Sequence, residues 1–269
     1  MEPPAQNIAN HPAGRRAMDT AGATECLQRY YQELAQSGAS PAAAGPWYDA
    51  KDLARVPAAA LALAGGWGNP VGWAAPAAGA SVLDLGCGGG IDLVLAGRRL
   101  GTTGRLSGID LAPAMVEATG RALAADGLAH PCLVLKTADL ATAALARNFA
   151  DLVIANGSLS QVPDPARAFR NIFRMLAPGG RMVVADLVLR RPLAAPPPAG
   201  LGGLMVAEEL WAMLAAMSFM TLSILDERRL SAQELTSRGP GLVPAAYLAA
   251  LAENALAVTF TAMRPPLAC

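Results

Sequence analysis

The sequence predicts an α/β fold, a mostly parallel seven-stranded sheet with helices on both faces. Three observations predict it. Short apolar runs alternate with helical patterns from residue 81 onward, the first run ends in a glycine-rich turn, and the second ends in an aspartate. Strands covered on both faces read as near-continuous apolar runs, and alternation with helices marks a parallel sheet.

The elements follow in order. A leader over residues 1–22, rich in Pro, Asn and Gly and without periodicity, is expected to be disordered. Residues 24–36 carry Leu27, Tyr30, Tyr31 and Leu34 on one helical stripe. A short helix is expected near 49–53, then residues 58–64 lead into the loop GGWGNP at Gly65 to Pro70. Strands are predicted at 81–85, 105–110, 132–135, 150–155 and 181–188, with helices at 91–100, 112–125 and 165–176. Pro113 falls in a first helical turn, where a missing N–H costs nothing. After a Pro/Gly-rich loop at 191–203 come a helix (206–217), a strand (220–226), two short helices near 231–236 and 245, and a last strand (255–262).

With 269 residues the chain can bury a full core without disulfides or metal. Hydrophobic residues make up 53% and charged residues 16%, so an ordered apolar protein is expected. The 21 basic and 21 acidic residues balance, which argues against nucleic acid or an anionic membrane as a partner. Cys26, Cys87, Cys132 and Cys269 form no CxxC pair and no zinc-ligand spacing, so no metal is expected. The opening Met1-Glu-Pro-Pro lacks a signal-peptide layout, and the apolar stretch 242–258 is interrupted by Pro244. These readings give a cytoplasmic protein, monomer or homodimer.

The strongest motif is Asp84-Leu-Gly86-Cys87-Gly88-Gly-Gly90 between a strand and a helix. Glycines let the backbone turn sharply and approach a ligand at the carboxyl ends of the strands. A dinucleotide fingerprint wants a small residue five positions after its first glycine, and that position is Ile91. The spacing fits a methionine tail against backbone better than a pyrophosphate. Asp110, ending the second strand, is placed to accept ribose hydroxyls, with an N-cap as its competing role. Asp139 and the Leu140 N–H suit an adenine edge; Leu111 joins this segment, and Met115 is either an adenine flank or core.

With Asn156 after the fourth strand and Leu176-Ala-Pro-Gly-Gly180 before the fifth, these motifs resemble the class I S-adenosylmethionine methyltransferase family. The resemblance implies a Rossmann-like class I methyltransferase fold, S-adenosyl-L-methionine as cofactor and a small-molecule acceptor. It narrows further. The run from Val82 to Thr119, with Gly90-Ile91-Asp92 after the glycines, is similar to arsenite methyltransferases, as are Gln28–Tyr31, Tyr48–Pro57, Gly66–Pro70 and Ala257–Pro265. That family holds trivalent arsenic with thiolates, soft ligands for a soft metalloid. Here the corresponding segments carry Trp67, Asn156-Gly157-Ser158 and Ala199-Gly-Leu201-Gly, and residues 40–45 read Ser-Pro-Ala-Ala-Ala-Gly. The resemblance therefore implies the scaffold without its arsenic site.

An S-adenosylmethionine-binding domain is expected over 76–266, with a helical cap over 23–75 and an acceptor-side loop at 191–205. Tyr31, Trp67, Ser158, Gln161, Leu201 and Met205 are the candidate acceptor lining, mostly apolar with a few polar handles. No base is evident: His11 falls in the leader, His130 before the third strand, and Asp164 before Pro165 reads as an N-cap. A soft or neutral acceptor is expected, such as a thiol or selenol, an amine or a heterocycle. A quinone or C-methyltransferase and a non-catalytic cofactor-binding module remain as alternatives.

Overall fold

The computed structural model describes residues 20–37, 47–128, 132–238 and 242–267. The chain runs α1 (Thr20–Ser37), α2 (Ala50–Leu53), α3 (Ala58–Leu61), α4 (Pro70–Ala74), β1 (Ser81–Leu85), α5 (Ile91–Leu100), β2 (Arg105–Asp110), α6 (Pro113–Ala125) and β3 (Leu133–Thr137). It continues through β4 (Ala150–Asn156), α7 (Pro165–Met175), β5 (Leu176–Leu189), α8 (Ala207–Ala216), β6 (Met220–Arg229), α9 (Ala232–Arg238), α10 (Ala245–Asn254) and β7 (Ala255–Met263). Two single 3₁₀ turns, Leu159–Gln161 and Ala199–Leu201, interrupt the connections.

The seven strands form one sheet in the order β3-β2-β1-β4-β5-β7-β6. β1 pairs in parallel with β2 and β4, and β5 continues the parallel set beside β4. β7 enters antiparallel between β5 and β6. The strand order reverses between β1 and β4, so a crevice opens at the carboxyl end of β1.

Strand alternation separates the two cores. Leu83 and Leu85 point into one layer with Phe169, Ile172 and Met175 of α7 and Leu214 of α8. Val82 points the opposite way, with Leu93, Leu95 and Leu100 of α5 and Val71 of α4. Complete burial of a side chain such as Ile172 or Leu93 contributes about 1.5–3 kcal/mol. α7 starts where the sequence places it: Asp164 accepts from Arg167 N at 2.9 Å as the N-cap, and Pro165 fills the first turn.

Several boundaries are corrected. Of the leader expected over 1–22, residues 1–19 lie outside the described residues, and 20–22 belong to α1, which starts four residues before Thr24. Within the 58–64 stretch, for which no element was predicted, Ala58–Leu61 form one helical turn. Pro70–Ala74 is a helix the sequence reading did not foresee, capped by Asn69, whose side chain accepts from Gly72 N at 2.7 Å. β5 begins at Leu176 rather than 181, because Leu176 pairs with Ala150 across a register shift. His11, His130, Cys269 and the 40–45 segment lie outside the described residues. No helix among the described residues is long and apolar enough to cross a membrane.

Candidate cofactor and acceptor cleft

The turn after β1 is built on three glycines with positive φ: Gly86 at 81°, Gly88 at 51° and Gly90 at 91°. L-residues avoid that region. Gly86 N and Cys87 N donate to Ile109 O at 2.8 and 3.0 Å, pinning the turn to the end of β2. A Cβ on Gly86 would stand 2.5 Å from Ser158 Cβ, whereas one on Gly88 would meet nothing nearer than Gly86 O at 4.0 Å. Gly88 therefore keeps open a space that borders the cleft.

Asp110 closes this corner. Its Oδ2 accepts from Gly88 N at 2.9 Å and its Oδ1 from Ala112 N at 3.0 Å. The carboxylate borders the cleft. Burial raises its pKa, and the bonds from Ala112, Gly88 and Leu111 oppose that rise. Leu111, Met115, Asp139 and Leu140 continue the wall. Met115 also packs with Leu27, Tyr30 and Ala118, so the core and lining roles coincide. Asp139 spends Oδ1 on Ala141 N at 2.8 Å.

The opposite wall holds residues the sequence reading missed. Asp92, in the first turn of α5, accepts from the Tyr48 hydroxyl at 3.0 Å and from Asn156 Nδ2 at 3.0 Å. Asn156 Nδ2 also reaches Tyr48 Oη at 2.9 Å, and its Oδ1 accepts from Trp67 N and Gly68 N at 2.8 and 3.2 Å. Asn156 thus ties the GGWGNP loop to Asp92 and Tyr48. Burial pushes the Asp92 carboxyl up to about 6, against the donated hydrogen bonds that lower it. Burial also pushes the Tyr48 phenol up, with the Asp92 charge adding to it. The Gly90-Ile91-Asp92 continuation and the Tyr48 segment were visible in the sequence, without anything to pair them across 44 residues.

Asp84 lies beneath the turn, 2% exposed, and does not reach the cleft surface. Its carboxylate takes no hydrogen bond from the described residues. Burial, then the charges of Asp92 and Asp110, raise its pKa.

On the remaining side, Tyr31 Oη donates to Gln161 Oε1 at 2.9 Å, and Gln161 Nε2 donates to Gly157 O at 2.6 Å. Ser158 Oγ donates to Leu85 O at 2.6 Å. The turn bearing these groups hangs from buried Asp186, which accepts from Leu159 N at 2.7 Å and Ser160 N at 3.1 Å. Val162 and Pro163 complete this wall with Leu27 and Thr24 of α1.

Three expected lining residues are corrected. Trp67 and Leu201 are 4% and 2% exposed and pack with Leu187, Leu189 and Leu204 in a core of their own. Met205 borders a second, smaller cavity beside Phe169, Asp186 and Phe260. The GGWGNP loop lends the cleft Gly65 and Gly66, and no residue of the expected acceptor-side loop at 191–205 lines it.

The cleft encloses about 1030 Å³ including its mouth. Asp92, Asp110 and Asp139 line it, and no Lys, Arg or His among the described residues does. A buried acidic lining of this kind suits a ligand that brings positive charge and hydroxyl donors. S-adenosyl-L-methionine, with a sulfonium, an ammonium and two ribose hydroxyls, fits that donor set.

A family model described as a methyltransferase domain matches residues 76–225. The chain belongs to that family, and its sheet and cofactor turn are those of a class I S-adenosylmethionine-dependent methyltransferase. Among curated proteins it is 34% identical over 145 residues to an arsenite methyltransferase of Halobacterium salinarum, a match spanning 54% of this chain and 36% of the relative. It is 38% identical over 110 residues to a ubiquinone biosynthesis O-methyltransferase of Xanthomonas axonopodis pv. citri, spanning 41% of this chain and 44% of that one. These matches thus cover less than half the length of either relative. An arsenic(III) S-adenosylmethionine methyltransferase from Chlamydomonas reinhardtii superposes with a TM-score of 0.64 at 26% identity, covering 80% of this chain and 73% of that structure.

Proposed function

We propose that the protein transfers a methyl group from S-adenosyl-L-methionine to a small neutral or soft acceptor, a thiol or selenol, an amine or a heterocycle. The observation that carries this reading is the lining of the wall facing away from the acidic corner. Tyr31, Gln161, Ser158, Val162 and Pro163 supply hydrogen-bonding and apolar contacts there, without a charged side chain among them.

When bound, the cofactor supplies an electrophilic methyl carbon on a sulfonium. The chain does the positioning. Asp110 would take the ribose hydroxyls, Asp139 and the Leu140 N–H would hold the adenine edge, and Met115 would pack beside the base. Asp92, on the cleft wall, would face the ammonium, while Asp84 lies beneath the glycine turn and would act on it only through its charge. Tyr31 and Gln161, already bonded to each other, orient the acceptor by exchanging that bond for one to the acceptor's polar atom. Leu27, Val162 and Pro163 keep water from the reacting atoms. Holding two reactants at near-attack distance is the main rate contribution available to such a site.

Arsenite is disfavoured as the acceptor. The segments that resemble the arsenic-binding ones carry Trp67, Ser158 and Leu201, and among the described cysteines Cys26 and Cys87 are buried while Cys132, directly before β3, is exposed. A second reading, methylation of a quinol or of carbon, is favoured by one observation: Asp92 is a cleft carboxylate with a pKa of about 6, suited to accept a proton near neutral pH. Incubation with methyl-labelled cofactor and a panel of arsenite, thiols, quinols and N-heterocycles decides. Label on a thiol or heterocycle is expected. Label on a quinol favours the second reading, and rapid label transfer to arsenite overturns both.

A further inference from the structure

Behind the GGWGNP loop lies a cluster that the cofactor cleft does not use. The Arg228 guanidinium of β6 stacks over the Trp47 ring, with Cζ 4.2 Å from the ring centroid. Arg238, at the end of α9, lies 5.3 Å from the same ring and 6.0 Å from that of Trp67. Glu234 pairs with Arg228 Nη2 and also accepts from Ser231 N and Oγ. Arg238 Nη1 donates to Gly66 O at 2.8 Å.

Two N–H groups of this stack have no acceptor among the described residues: Trp47 Nε1 and Arg228 Nε are both buried and unpartnered there. More than nine in ten buried polar groups find a partner, so two orphan donors on one stacked pair mark a missing acceptor. Both are donors, one is charged, and the Arg228 side chain as a whole remains 36% exposed although its Nε is buried. Guanidinium and indole N–H together match an anion with at least two acceptor oxygens.

We propose that Trp47 and Arg228, bordered by Arg238, form a binding site for an oxyanion group, a carboxylate or a phosphate, separate from the cofactor cleft. The bound oxygens accept from Trp47 Nε1 and Arg228 Nε. Arg238 joins the site to the Gly66 carbonyl, so an occupant sits one residue contact away from the loop that borders the cofactor.

Calorimetric titration of the full chain with inorganic phosphate and, separately, with succinate, at constant ionic strength, tests this. Saturable binding of at least one anion is expected, and which one binds distinguishes phosphate from carboxylate. Arg228→Lys keeps the charge and removes the Nε donor; it should weaken binding at least fivefold while leaving S-adenosylmethionine affinity unchanged. If that variant does not fold, Trp47→Phe, which keeps a ring and removes only the N–H, reads the same site. Absence of saturation in the wild type, or unchanged affinity in the variant that folds, overturns the proposal.

Discussion

The Tyr48 hydroxyl donates to Asp92 Oδ1 at 3.0 Å, joining the segment ahead of the sheet to the first turn of α5. Asn156 braces both partners from the end of β4. The pair places a carboxylate of raised pKa in a cleft whose cofactor is cationic, which makes cofactor binding sensitive to pH.

The direction follows from the shift. Asp92 titrates near 6 in the folded protein against an ordinary value of 3.8. A cationic ligand favours the ionised carboxylate, so affinity for S-adenosylmethionine should be full above pH 6 and fall as pH drops through it. Stability of the free protein moves the other way: between about pH 4 and 6 the native state holds a proton that the unfolded chain releases, so stability declines as pH rises across that window. Calorimetry from pH 5 to 8 on wild type and Asp92→Asn checks this; a wild-type affinity independent of pH would exclude the role given to Asp92.

Two glycines of one turn should fail differently. Gly86→Ala drives a Cβ to 2.5 Å from Ser158 Cβ at a φ of 81°, and loss of folded protein is expected. Gly88→Ala meets open space, so the variant should fold at a cost of about 1–2 kcal/mol for its left-handed backbone. Its methyl group enters the cofactor's space, and S-adenosylmethionine binding should fall at least tenfold. Circular dichroism and calorimetry on both variants separate the effects; an unaffected cofactor affinity in Gly88→Ala would count against the cradle.

Tyr31→Phe removes the donor to Gln161 and leaves the ring. One hydrogen bond of about 0.5–1.5 kcal/mol corresponds to roughly a two- to twelvefold change. The acceptor KM should rise by that factor with cofactor affinity unchanged. Equal KM values in steady-state kinetics would remove Tyr31 from the acceptor wall.

Trp67 is a core residue, so Trp67→Ala should cost stability rather than selectivity. About 3–5 kcal/mol is expected for a buried tryptophan. A thermal melt reads the loss, and the preference among acceptors at permissive temperature should be that of the wild type.

The cofactor half of the cleft was legible because its signals are local. Positive φ at Gly86, Gly88 and Gly90 demands glycine, Asp110 ends a strand, and Asp164 precedes a proline at a helix start. The Tyr48–Asp92–Asn156 triangle was not, because its members lie 44 and 64 residues apart and only the packed fold brings them together. Trp67 sits on the loop that lends Gly65 and Gly66 to the cleft, whereas no residue of 191–205 lines it, and side chains outside regular elements have no period to fix their direction. Burial settled it: the apolar groups turned inward, and backbone remained at the surface.

The place of β7 in the sheet has a consequence for biosynthesis. β6 leaves the ribosome before the strand that must lie between it and β5. Until residues 255–263 follow, β5 presents an open edge with Val183, Val184 and Leu187 along it, and β6 has nothing to pair with. Open edges invite pairing with other chains. The vulnerable interval in making this protein therefore falls between the synthesis of β5 and that of β7, after the residues of the cofactor cleft have been made.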